Sequence, residues 1–143
     1  MHVRLYKFLE TNKIIYKNQF GFRTNRSTSD ALIKITESIR EACDEGLYSC
    51  GVFLDFKKAF DTVNHGVLLD KLKYYGIRGV AYNWFQSFIC GRVQYTSING
   101  SDSEMKNSTH GVPQGSVLGP LLFNLFINDL HLSTKNCRVH HFA

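Results

Sequence analysis

The chain has 143 residues, the length of one small domain or of part of a larger one. Hydrophobic residues make up 43%, Phe and Tyr number 11 and 7, and only two prolines occur, a composition that can bury a core and argues against disorder. The net charge of +5 and pI near 9.1 suit a polyanion such as RNA or DNA, although many soluble domains carry such a charge without one, since a binding patch needs clustering.

Taken in order, Val3 to Leu9 has apolar residues at helical spacing and predicts a short helix. Asn18 to Asn25 (NQFGFRTN) reads as a loop or irregular strand punctuated by Gly21. A helix is expected over Thr28 to Glu45. Ser27 and Asp30 fit a capping box, Ala31, Leu32, Ile35, Ile39, Ala42 and Cys43 form one apolar face, and Gly46 stands where a C-terminal cap belongs. Cys50 to Phe56 (CGVFLDF) is short, apolar and β-prone, the pattern of a buried strand. Asn64 can cap a helix through Tyr75 that Gly76 ends. Gly79 to Ile89 predicts another helix, burying Val80, Trp84, Phe85 and Phe88 and stopping at Gly91. Val93 to Ile98 is strand-like and runs into Asn99-Gly100, a strong hairpin signal. Gly111 to Ser116 is a loop. Val117 to Leu130 is apolar nearly all round and predicts a buried helix. Val139 to Ala143 begins a further strand-like run. This order predicts an α/β (α+β) domain, with helices packed on a small sheet.

Cys43, Cys50, Cys90 and Cys137 are far apart and lack the close spacing of a zinc or redox site, so reduced thiols without a disulfide partner are expected. His2, Arg4 and Lys7 interrupt the N-terminal apolar residues, which argues against a signal peptide. The longest apolar stretch, Val117 to Ile127, falls short of the ~20 residues of a membrane span. The expectation is an intracellular protein, cytoplasmic or nuclear, with no membrane partner.

Three segments offer chemistry. Asp55 closes an apolar run, where a carboxylate is costly unless paired or bound to a cation. Mg²⁺ takes such ligands together with substrate phosphates, and a turn cap is the other reading of this residue. Lys57, Lys58 and Asp61 form either a solvated turn or a group near phosphates, and Phe60 is a core residue or the wall of a nucleotide pocket. Gly111 to Pro120 (GVPQGSVLGP) places glycines, which permit close backbone approach, before a helix N-terminus that favours phosphate. There Gln114 can hydrogen-bond a base or a backbone group, unless the segment is an ordinary loop. Gln19 to Ser27 (QFGFRTNRS) interleaves Arg23 and Arg26 with Phe20 and Phe22, which suits single-stranded nucleic acid or a surface loop anchored by two phenylalanines. His65 and His110 are isolated, and His140-His141 would point to opposite faces of a strand. Structural or solvent-exposed roles are expected for them.

In this order QFGFRTNRST, FLDFKKAFDTV and GVPQGSVLGPLLFNLFINDL closely resemble the reverse transcriptases of non-LTR, LINE-type retrotransposons of the jockey-like kind, over about Leu5 to Ala143. The resemblance implies a partial right-hand polymerase fold. About residues 1–50 would be a fingers-side segment and about 51–143 part of the palm. Asp55 would match the invariant catalytic, metal-binding aspartate, and the backbone carbonyl of Phe56 a second contact to Mg²⁺. Phe60 would match the aromatic that excludes a ribose 2′-hydroxyl. Gln114 and Gly115 would pack on the incoming nucleotide and template. Arg23 and Arg26 would lie near the template, and Lys57 and Lys58 near phosphates. The implied partners are an RNA template, a DNA primer and deoxynucleoside triphosphates.

The family's paired aspartates would follow His141-Phe142-Ala143, and its preceding fingers motif and its thumb are missing. A fragment of an RNA-directed DNA polymerase is therefore expected, inactive alone. The alternatives are a non-catalytic nucleic-acid-binding remnant and an intron-encoded (maturase) reverse transcriptase fragment.

Overall fold

The computed structural model describes Met1–Phe142. The expected mixed fold is present: five α-helices and short antiparallel strands among the described residues. The chain divides into two compact units, one of Met1–Lys57 with the chain from Ile127 onward, the other of Lys58–Phe126.

In the first unit, α1 (His2–Thr11) buries Leu5 and Leu9. The loop after it is tied down from far along the chain. Asn128, itself buried, accepts from the Tyr16 amide (2.7 Å) and donates to the Ile14 carbonyl (2.8 Å). The Phe20 amide donates to the His141 carbonyl, and the His141 amide to the Asn18 carbonyl, each at 2.9 Å. Thus the strand-like run from Val139 makes one parallel bridge, Gln19 to His141, rather than a strand. Its last residue, Ala143, lies outside the described residues.

Helix α2 (Thr28–Asp44) has the predicted capping box, and Gly46 at φ +70° closes it, with the Leu47 amide donating to the Ala42 carbonyl. Its apolar face is not covered as expected. Only Ala31 is buried, while Leu32 and Ile39 are exposed. The caps and the helical spacing suffice to form the helix, but they do not supply a surface to bury it against.

The predicted buried strand at Cys50 to Phe56 is neither a strand nor buried. The segment has no regular structure, and Val52, Phe53 and Leu54 are 80%, 85% and 74% exposed. A strand exists only through bonds to a neighbouring strand, and no strand among the described residues pairs with this one.

The second unit holds a denser core. Helix α3 (His65–Tyr74) is capped by the Asn64 side chain on the Val67 amide (3.0 Å) and buries Leu68, Leu69 and Leu72. It packs on α4 (Gly79–Ile89). Of the four residues expected to be buried there, Phe85 is buried and Phe88 half-buried, while Val80 and Trp84 are exposed and Ile89 is buried in addition. Helix α4 is apolar on more than one side, so periodicity alone does not say which of its apolar residues tertiary packing covers. Trp84 and Phe88 stack on each other at 5.4 Å.

The hairpin follows as β1 (Arg92–Gln94), β2 (Ser97–Ile98), β3 (Ser101–Asp102) and β4 (Lys106–Ser108). β1 pairs with β4 and β2 with β3, both antiparallel. Asn99 and Gly100 both take positive φ (51° and 80°), the requirement of a two-residue type I′ turn. Helix α5 (Gly119–Ile127) starts two residues later than the sequence suggests. Ser116 Oγ accepts from the Gly119 amide (3.0 Å), leaving Val117 exposed before the helix. As expected it is heavily buried, through Leu121, Leu122, Phe123 and Leu125.

Candidate functional site

Two of the sequence motifs meet inside the second unit. Lys58, in the left-handed region at φ 53°, starts a 3-10 turn (Ala59–Asp61), and its carbonyl accepts from the Asp61 and Thr62 amides. The chain then runs past buried Val63 into α3. Against it lies the Gly111 to Gln114 loop. The Gly111 amide donates to the Val63 carbonyl (2.7 Å), and the Val112 amide to the Phe60 carbonyl (2.9 Å). The Gln114 carboxamide nitrogen donates to Asp61 Oδ1 (2.7 Å), and buried His65 places Nε2 2.7 Å from the Gly111 carbonyl.

Gly111 sits at φ +88°, and a Cβ there would lie 3.1 Å from the Asp61 Cα and carbonyl oxygen. Only glycine permits both the conformation and the approach. Phe60 is half-buried against Phe123 of α5, ring centroids 4.8 Å apart. Gln114 and Gly115 are exposed. Phe60 and Gln114 thus sit on one hydrogen-bonded strap although more than 50 residues separate them, and Gly115 directly follows Gln114.

The remaining predicted residues are placed differently. Asp55, Phe56 and Lys57 are exposed, belong to the first unit and lie in the segment without regular structure. Lys58 is exposed in the second unit. As a donor, the Asp55 carboxylate suits a hard divalent cation. Among the described residues, however, no three His, Cys, Asp or Glu side chains gather as a metal site. One carboxylate and one carbonyl do not fit a metal centre by themselves.

The structure gives Arg23 an internal partner. Its guanidinium makes a two-point pair with Glu10 (2.8 and 3.0 Å) and donates to the Tyr16 carbonyl (3.1 Å). This pairing holds the Glu10 carboxyl below its ordinary range, against a smaller opposing effect of burial. The role visible for Arg23 is therefore to fasten α1 to the loop. Arg26 is exposed, its guanidinium 5.5 Å from the ring centre of buried Phe20, so the cation sits on that phenylalanine.

Two histidines pack on one tyrosine. His131 stacks on Tyr16 at 3.9 Å, and His141 is buried beside the same ring. Neither ring nitrogen of His141 has a hydrogen-bond partner. Burial, then His131 and His140, hold its imidazole below the ordinary range.

Sequence reasoning left Asp61 in a solvated turn and His65 as an isolated residue, and both prove to bond the 110–114 loop. The only local signal was Gly111, whose need for a positive φ hints at a close approach without naming the partner.

The family model for reverse transcriptase (RNA-dependent DNA polymerase) matches residues 1–143. The chain belongs to the reverse transcriptase family. It is similar to the RNA-directed DNA polymerase from mobile element jockey of Drosophila melanogaster, 38% identical over 92% of this chain and 14% of that protein. It is 36% identical to the probable RNA-directed DNA polymerase from transposon BS of the same fly, over 89% of this chain and 14% of that one. A putative COX1/OXI3 intron 2 protein of Saccharomyces cerevisiae is 31% identical over 87% of the chain and 14% of its own length. The reverse transcriptase chain thus spans about a seventh of the relatives it matches, and its mixed helix-and-ribbon architecture is consistent with a partial reverse transcriptase polymerase fold.

Proposed function

We propose that this chain is the part of a mobile-element RNA-directed DNA polymerase that shapes the pocket for the incoming deoxynucleotide. The observation that carries the reading is the strap that joins Phe60 and Asp61 to Gly111, Val112 and Gln114. It holds an aromatic wall and an exposed carboxamide on one framework, and α5 supports the wall through Phe123. Phe60 would exclude a 2′-hydroxyl by bulk, while Gln114 and the Gly115 backbone would pack on the nucleotide and template. Arg26, Lys57 and Lys58, all exposed cations, would attract the phosphates of primer, template or triphosphate.

Reverse transcriptases generally use a divalent metal, and Asp55 is the proposed carboxylate for Mg²⁺, with the Phe56 carbonyl beside it in sequence. Because the described residues do not by themselves form that centre, the work assigned to this chain is binding, positioning and steric selection. The intron-encoded alternative has a similar relative in yeast, but the jockey and BS proteins, at 38% and 36% identity, favour the mobile-element reading.

The decisive experiment is Phe60→Val in a polymerase that carries this segment. Ribonucleotide use relative to deoxynucleotide use should rise ~10- to 100-fold, the scale on which a pocket discriminates one small group. Unchanged discrimination would overturn the reading. The 143 residues alone should not extend a primer on an RNA template, with Asp55→Asn as the control for contaminating enzyme.

A further inference from the structure

Asp61 has no part in the reading above beyond its place in the strap, yet its contact decides what Gln114 can recognise. A carboxamide has two faces of opposite hydrogen-bonding character, an oxygen that accepts and an NH2 that donates. An ionised carboxylate only accepts. The short contact between Asp61 Oδ1 and the Gln114 side chain (2.7 Å) therefore requires the NH2 end to face Asp61. The other end, Oε1, is then the one left to a ligand, on an exposed side chain.

The backbone makes this orientation durable. Asp61 is held by its amide on the Lys58 carbonyl (2.9 Å). The opposing loop is fixed by Gly111 on Val63, by Val112 on Phe60 and by His65 on Gly111. Both partners of the side-chain bond thus stand on a framework that does not depend on that bond. Losing it frees the carboxamide to rotate without loosening the strap.

We infer that Asp61 is a positioning residue that locks Gln114 with Oε1 outward, so that the pocket offers an acceptor and selects a hydrogen-bond donor, a hydroxyl or amino group, on the bound nucleotide. This rests on the nucleotide-pocket reading of the strap. A merely structural role for Asp61 would predict a loss of stability instead, and a solvated turn carboxylate would predict nothing.

The bond itself is read in the 143-residue chain, from the side-chain NH2 resonances of Gln114. They should differ clearly between the unaltered chain and Asp61→Ala, because the variant removes the acceptor. Identical resonances in the two would overturn the inference.

The consequence is read in the polymerase carrying this segment. Asp61→Ala should raise KM for deoxynucleoside triphosphate about three- to tenfold, with kcat within about twofold and the thermal melt unchanged. Asp61→Asn, which can still accept from the NH2 group but no longer enforces its orientation, should fall between Asp61→Ala and the unaltered enzyme. Gln114→Ala should raise KM at least as far, and the double variant should be no worse than Gln114→Ala alone. If Gln114→Ala raises KM while Asp61→Ala does not, or if the two effects add, the positioning role fails and the pocket stands. If Gln114→Ala leaves KM untouched, the pocket reading fails and the positioning role with it.

Discussion

The motif FLDFKKAFDTV is one continuous stretch, but its two halves fare differently. From Phe53 to Lys57 it is exposed and without regular structure, whereas from Lys58 to Val63 it is a 3-10 turn strapped to a loop some 50 residues on. Both halves are rich in apolar residues, so hydrophobicity does not separate them. What does is whether a partner segment returns to satisfy the backbone. The second half has Gly111 to Gln114, and the first half has no paired strand among the described residues. A motif read from sequence names chemistry, and only long-range contacts position it.

The sharpest way to break this contrast is to attack the core behind the ordered half. Phe85→Ala or Leu122→Ala, each at a side chain with essentially no exposure, should cost ~3–5 kcal/mol in a urea melt. A cost under ~1 kcal/mol would mean that the second unit does not pack as described. Next comes Gly111→Ala, expected to lose ~1–3 kcal/mol through its positive φ alone, with the close approach to Asp61 added. Gly46 also has a positive φ (+70°) but open space around its Cβ position. Gly46→Ala should therefore cost less, and the excess at Gly111 measures the approach. Equal losses would show that the strap tolerates a side chain.

A smaller effect distinguishes the units by pH. Glu10 titrates below its ordinary range because of Arg23. A depressed carboxyl stabilises the fold above its unfolded pKa, here near the ordinary value of 4.5, and that stability is lost as pH falls through the lower folded value. Arg23→Met should cost ~1 kcal/mol at neutral pH, allowing for partial exposure, and the cost should shrink as acid protonates Glu10. His141 adds a loss with the same sign. Its folded pKa lies below the ordinary 6.5, so stability present above that value falls as the pH drops. Amide exchange should therefore show the Phe20 amide, bonded to the His141 carbonyl, losing protection between pH 7.5 and 5, and His141→Phe should flatten the change. Unchanged protection would remove the pH contrast. The smallest effect belongs to the exposed half, where Phe53→Ser should stay within ~0.5 kcal/mol of the parent.

Much of the architecture was legible locally. The capping box at Ser27 and Asp30, the glycine stops at Gly46 and Gly76, the Asn64 cap and the Asn99-Gly100 turn are all decided within a few residues, and the structure shows each of them. Burial was less legible. Trp84 and Phe85 are neighbours with similar hydrophobicity, yet tertiary packing buries one and leaves the other exposed. At the site, the residue types at Phe60, Gln114 and Gly115 were readable because the motif carries them. The bond from Gln114 to Asp61 was not, because nothing within either segment encodes the other's distance. Arg23 shows the same limit from the other side, since nothing in its own segment announced its ion-pair partner Glu10 in the preceding helix.

The exposed run from Cys50 to Phe56, without regular structure, carries one further consequence, for solution behaviour rather than for chemistry. In CGVFLDF the sole charge is Asp55. A β-prone, exposed apolar stretch with unpaired backbone groups is a template on which other chains can stack, and a single charge within it acts as a gatekeeper against that growth. Neutralising Asp55 to asparagine, the choice for a control, would thus also remove the one charge inside the segment and leave only Lys57 and Lys58 at its end to oppose fibril-like association. Asp55→Lys removes the carboxylate yet keeps a charge at that position, so light scattering should show association in Asp55→Asn that Asp55→Lys lacks.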